Sequence, residues 1–134
     1  MSVLYVDTSA VLKRVIVEAE SAAVRALLVG RDAAGDLLTA SSICWLEVWR
    51  SLRRAGVDDV EGVAATALSG IAEFPLEDSV LRHARRVGAN ELRSLDSIHL
   101  ASAVRVGADS VLTYDGRLAD SAASAGLTVL SPTD

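Results

Sequence analysis

Four acidic side chains occupy positions from which they could do chemistry. Asp7 follows the apolar run Val3-Leu4-Tyr5-Val6, and Asp115 follows Val111-Leu112-Thr113-Tyr114. Each run reads as a short buried strand, so each acid stands where a strand gives way to a helix. An Asp there is ordinarily a turn residue or a helix cap, but two parallel strands ending alike deliver both carboxylates to one edge of a sheet. Glu47 lies inside a helical segment among Trp45, Leu46, Val48 and Trp49, with Ile43, Leu46, Glu47 and Arg50 along one side at helical spacing. A carboxylate beside an apolar stripe needs either a salt bridge, for which Arg50 and Arg54 are the candidates, or a cation. Asp96 falls in the first turn of another helix, where the positive helix end favours an acid in any case. Brought together, the four would repel one another unless a cation compensated. Oxygen donors without His or Cys select hard ions such as Mg²⁺ or Mn²⁺. Such ions suit phosphoryl chemistry, because they orient a water, lower its pKa and neutralise charge on the phosphate.

The other reactive groups read more plainly. His99 follows Asp96 by three residues, a spacing compatible with metal binding, but its neighbours Ile98, Leu100 and Ala101 favour a packed, hydrogen-bonded ring. His83, among Arg82, Arg85 and Arg86, reads as a surface residue. Cys44 is the only cysteine; it reads as a core thiol, allows no internal disulfide and fits a reducing cytoplasm. Trp45 and Trp49 share a helix face and are expected to pack rather than to stack on bases.

These side chains need elements to position them. Strands are expected at 3–6, 37–40, 71–74, 110–113 and 128–130. Helices are expected over 10–17, 20–29 with an end near Gly30, from a cap at Ser41 or Ser42 to about Arg54 with a stop at Gly56, 58–68, 78–87, 95–106 capped by Ser94, and 118–125. Short apolar strands alternating with helices argue for an α/β fold, a parallel sheet with helices on both faces, whose ligand site lies beyond the carboxyl ends of the strands where the strand order reverses.

The chain has 134 residues, fits a single domain spanning 1–134, and is 51% hydrophobic, an ordinary globular composition. No apolar run approaches a membrane span and the amino terminus has no signal-like pattern, so the expected location is the cytoplasm. The formal net charge of −5 argues against a nucleic-acid partner. The distribution softens that argument: Lys13 is the only lysine, and the arginines gather as Arg50, Arg53, Arg54 and as Arg82, Arg85, Arg86, Arg93.

The segments Val6-Asp7-Thr8-Ser9-Ala10, the helix bearing Glu47, the run from Leu92 to Ala103 with Leu95-Asp96-Ser97-Ile98-His99-Leu100-Ala101 at its centre, and Leu112-Thr113-Tyr114-Asp115-Gly116-Arg117-Leu118-Ala119 resemble the PIN-domain ribonucleases, and among them the VapC toxins of toxin–antitoxin pairs. The resemblance spans nearly the whole chain in the order and spacing of all four acids. It implies a PIN-like domain, with a central parallel sheet of about five short strands flanked by helices, and Mg²⁺- or Mn²⁺-dependent endonucleolytic cleavage of RNA. It carries over Asp7, Glu47, Asp96 and Asp115 as catalytic, metal-binding acids, with Thr8 and Thr113 as supporting polar residues. It also implies a homodimer and a cognate VapB-type antitoxin that can insert a basic side chain into the acidic pocket. Gly116-Arg117 supplies no acid directly after Asp115, and Asp120 reads as a helix-surface residue. Arg50, Arg53 and Arg54, one turn beyond Glu47, are the candidates for contact with RNA phosphates.

Other α/β readings fit less well. A receiver domain needs a lysine at a late strand end, and Lys13 is near the start. A haloacid-dehalogenase phosphatase needs Asp-x-Asp after the first strand, where this chain has Asp7-Thr8-Ser9. The alternative to the enzyme is a catalytically silent PIN-fold binding module acting through a protein or RNA partner.

Overall fold

The computed structural model describes residues 1–133. Five strands, β1 (Val3–Val6), β2 (Leu37–Ser41), β3 (Ala72–Phe74), β4 (Ser110–Leu112) and β5 (Thr128–Leu130), form one sheet in the order β3-β2-β1-β4-β5. All pairings are parallel. From β1 the chain builds outward through β2 to β3, then returns to lay β4 and β5 on the other side of β1. The strand order therefore reverses between β1 and β4, where an open α/β sheet places its crevice.

Among the described residues seven helices make the crossings: α1 (Thr8–Leu12), α2 (Ser21–Ala33), α3 (Ser42–Arg54), α4 (Val60–Ala67), α5 (Asp78–Ala84), α6 (Ser94–Arg105) and α7 (Gly116–Ser124). The two-residue alternation of the central strands divides the core between the two faces. Leu4, Val6 and Leu112 join Val24, Leu28, Cys44, Val48 and Leu52. Tyr5 and Val111 join Leu100, Ala103, Leu118 and Ala122. The central strands β1 and β4 read as apolar runs because both their faces are covered.

Several local expectations change. The first helix stops at Leu12 instead of reaching Val17, and the chain turns through Lys13–Ile16 on bonds such as Lys13 N–H to the Ala10 carbonyl and Val15 N–H to that of Leu12. The β-branched run Val15-Ile16-Val17 is a poor helix former. Helix α2 passes through Gly30; the glycine that follows its end is Gly35, at φ 81. Helix α6 begins at Ser94, with Arg93 in the cap position and no side-chain cap bond. The stripe of α3 that enters the core is Cys44, Val48 and Leu52, whereas Leu46 is 56% exposed. Burial pushes the Cys44 thiol up to about 12, as expected for an inert core cysteine. Trp45 packs against the core and Trp49 is exposed.

Candidate metal centre

Asp7 follows β1 and caps α1, but its carboxylate takes no backbone N–H of that helix. Its Oδ2 instead accepts from the Ser9 hydroxyl and the Thr113 hydroxyl, both at 2.8 Å. Its Oδ1 faces His99 Nε2 at 3.5 Å. Asp115 is a helix cap as well as a candidate ligand: its Oδ1 accepts from Leu118 N–H at 3.0 Å. The two acids are strapped together by Thr113, fully buried, whose hydroxyl also accepts from Asp115 N–H at 3.0 Å. The Asp7 N–H to Leu112 carbonyl bond extends the β1–β4 pairing up to this point.

Glu47 reaches the same edge from α3, half-buried beside the helix's core stripe. It forms no salt bridge with Arg50 or Arg54; its Oε1 receives the Thr8 hydroxyl at 2.8 Å and His99 Nε2 at 2.6 Å. Burial pushes the Glu47 carboxyl up, but the bonds from His99 and Thr8 outweigh it and hold the group below its usual range. The same contacts work on His99 in the opposite sense. Burial lowers the imidazole, while the bond to Glu47 and the charge of Asp7 more than compensate and leave it raised. The sequence reading of His99 as a buried, hydrogen-bonded ring holds, yet its partner is a site carboxylate 52 residues away, so it belongs to the site. Only the short motif spacing Asp96–His99 hinted at this.

Asp96, in the first turn of α6, is partly buried. Burial raises its carboxyl, and the charges of Asp115, Asp7 and Glu47 raise it further. The other three predicted acids therefore stand within electrostatic reach of Asp96. Among the described residues, no three His, Cys, Asp or Glu side chains are already arranged to hold one ion. The donor set nevertheless fits a hard cation. Glu47 and Asp115 each give one oxygen to protein donors and keep the other without one among the described residues, and Asp7 keeps Oδ1 outside its two hydroxyl bonds. Protein donors that hold one oxygen of a carboxylate orient the other for a metal.

Glu47, Asp96, Asp115 and Asp120 line one open cleft of about 830 Å³, together with Tyr114, Arg93 and Arg117. Asp120 thus reaches the cleft although it is exposed on α7. Arg50, Arg53 and Arg54 are exposed on α3 and do not line it. The cations lining it are Arg93, just before α6, and Arg117, at the start of α7; among the described residues neither guanidinium is held in an ion pair or hydrogen bond.

A parallel sheet with the order β3-β2-β1-β4-β5 and acids gathered at its switch point defines a class. The chain belongs to the PIN domain family, whose model matches residues 4–123. The VapC resemblance holds along the whole length. The chain is 33% identical over 131 residues to ribonuclease VapC47 of Mycobacterium tuberculosis (strain CDC 1551 / Oshkosh), covering 96% of each chain. It is 34% identical over 134 residues to ribonuclease VapC46 of Mycobacterium tuberculosis (strain ATCC 25618 / H37Rv), covering 98% of this chain and 99% of that one. Among solved structures, the fold matches Mycobacterium tuberculosis VapC20, described as a sarcin-ricin loop cleaving toxin, with a TM-score of 0.75 at 20% identity over 96% of this chain and 99% of that one. It also matches VapBC2 from Rickettsia felis bound to a DNA fragment from their promoter, with a TM-score of 0.67 at 13% identity over 96% and 97% of the two chains.

Proposed function

We propose that this protein is a Mg²⁺- or Mn²⁺-dependent endoribonuclease and the toxin of a type II toxin–antitoxin pair. The reading is carried by one observation: at the switch point of the sheet, carboxylates from four separate elements converge, and the protein's own hydroxyl, imidazole and amide donors occupy only one oxygen on Glu47 and on Asp115. Full-length similarity to proteins named ribonuclease VapC supports RNA as the substrate. A bound Mg²⁺ or Mn²⁺ supplies charge neutralisation at a phosphodiester and a lowered pKa for water. The chain's own residues hold the acids in place, and no protein nucleophile is needed. Solvent-exposed Leu46, Trp49, Leu81 and Leu95 offer the apolar surface that an antitoxin or a second copy would cover. No helix among the described residues is long and apolar enough to cross a membrane, which is compatible with action in the cytoplasm.

Total cellular RNA incubated with the purified protein should be cut into discrete fragments with 5′-phosphate ends when Mn²⁺ is present and stay intact in EDTA. Intact RNA under every divalent cation tried would leave the silent binding module as the better reading.

The acids lining the cleft repel a polyanion, so Arg93 and Arg117 would carry the phosphates that flank the cut. Arg93→Ala and Arg117→Ala should each flatten the salt dependence of RNA binding, with the slope of log K against log salt falling by about 0.7 per arginine. Charge removal at Arg50, Arg53 and Arg54 should leave the slope closer to wild type. Equal slopes for wild type and the Arg93/Arg117 double variant would exclude these two as phosphate contacts.

A further inference from the structure

We infer that His99, oriented by Tyr5, is a positioning residue for Glu47: it commits Oε1 of that carboxylate to the protein and leaves Oε2 as the oxygen available to a cation. The inference rests on the metal-dependent reading above. It follows from counting donors along one buried chain of hydrogen bonds. Ser41 N–H, at the junction of β2 and α3, donates to the Tyr5 hydroxyl oxygen at 3.0 Å. The Tyr5 oxygen lies 2.6 Å from His99 Nδ1, and His99 Nε2 lies 2.6 Å from Glu47 Oε1. An ionised carboxylate only accepts, so Nε2 must carry the proton that is shared with it. In a neutral ring Nδ1 is then an acceptor, and it takes the O–H of Tyr5, whose oxygen already receives the Ser41 amide. In a charged ring the Nδ1 proton turns to the Tyr5 oxygen and Nε2–H still faces Glu47. Both forms of the ring give Glu47 the same donor.

The chain of bonds has little freedom. Tyr5 is fully buried and His99 is 1% exposed. Their rings meet edge to face with centroids 5.8 Å apart. The Thr8 hydroxyl adds a second donor to the same Glu47 oxygen. Glu47 sits on a helix whose core stripe, Cys44, Val48 and Leu52, does not hold its carboxylate. Without His99 the long side chain would keep a single hydroxyl bond and regain rotamer freedom, which weakens a ligand even where the backbone does not move.

A histidine present only to fill the core would affect stability and nothing else. The discriminating measurement is a Mn²⁺ titration of the full-length protein without RNA, followed by electron paramagnetic resonance of the free ion, beside thermal melts of each variant. His99→Leu should bind Mn²⁺ about 10- to 100-fold more weakly. His99→Gln, whose amide nitrogen reaches the place of Nε2, should stay close to wild type. Tyr5→Phe, which removes one oxygen, should weaken binding by a smaller factor. A His99→Leu protein that melts earlier but binds Mn²⁺ as wild type does would reduce His99 to packing, and equal losses in His99→Leu and His99→Gln would overturn the donor argument. If His99→Leu does not fold, unchanged Mn²⁺ affinity in Tyr5→Phe overturns the inference. Wild type that binds no Mn²⁺ would overturn the metal reading itself, and the positioning role with it.

Discussion

Asp7→Asn should cut RNA about 100-fold or more slowly than wild type while folding normally. Asn has the size of Asp, and its amide oxygen can take the place of Oδ2, accepting the Ser9 and Thr113 hydroxyls that lie 2.8 Å from it. The amide NH₂ then occupies the position of Oδ1, opposite His99 Nε2. A donor replaces an anionic oxygen at the point where a cation has to be held. The substitution therefore removes charge at the site with little change in packing. Asp7→Ala is a poorer test, because it leaves the buried Thr113 hydroxyl and the half-buried Ser9 hydroxyl without their acceptor and confounds activity with stability. Single-turnover cleavage of an end-labelled RNA, with circular dichroism as the folding control, measures the effect. A rate within a few-fold of wild type would remove Asp7 from the reaction.

The second large effect is expected at a residue that carries no charge. Thr113 is fully buried, and its one hydroxyl donates to Asp7 Oδ2 at 2.8 Å while accepting from Asp115 N–H at 3.0 Å. Its side chain bonds both of the acids that follow β1 and β4. Thr113→Val keeps the shape and deletes the hydroxyl, leaving an amide without its acceptor and Asp7 with one donor fewer. That should cost roughly 1–3 kcal/mol of stability and about 10- to 100-fold in cleavage, the usual scale for losing a group that orients a ligand. Thr113→Ser retains the hydroxyl and should recover most of the activity even if it loses some packing. Chemical denaturation and cleavage rates on the same preparations separate the two effects. If the valine and serine variants cleave equally well, the strap between the acids has no part in the chemistry.

Much of this architecture could be read from residue order. Val3–Val6 and Ser110–Leu112 announce themselves as buried strands because both faces of a central parallel strand are covered, so their apolar runs are unbroken. Their following acids land on one sheet edge because the two strands run parallel. What local pattern misjudged were places where longer-range contacts compete with propensity. The first helix ends after five residues where a longer one was expected, and just beyond it Lys13 is drawn between Glu18 and Glu20, at 3.3 and 3.0 Å. Helix α2 continues through Gly30 because nothing there requires a turn. The arginine group on α3, close in sequence to Glu47, lies outside the lining of the cleft, to which Arg93 and Arg117 contribute.

The sequence by itself determined the class of sheet, the four acids and the edge at which they arrive, since these depend on strand period, helix spacing and chain direction, which are local properties. Only the tertiary structure decided which oxygen of each carboxylate is already spoken for. Asp115 caps its helix while lining the cleft, the Asp7 carboxylate bonds the hydroxyls of Ser9 and Thr113 in place of the amides of its helix, and Glu47 found His99 in place of an arginine. Hydrogen bonds are short and directional, and those of Asp7 with Thr113 and of Glu47 with His99 join residues 106 and 52 positions apart. No local pattern encodes such pairings; they exist only once β1, α3, α6 and β4 have packed.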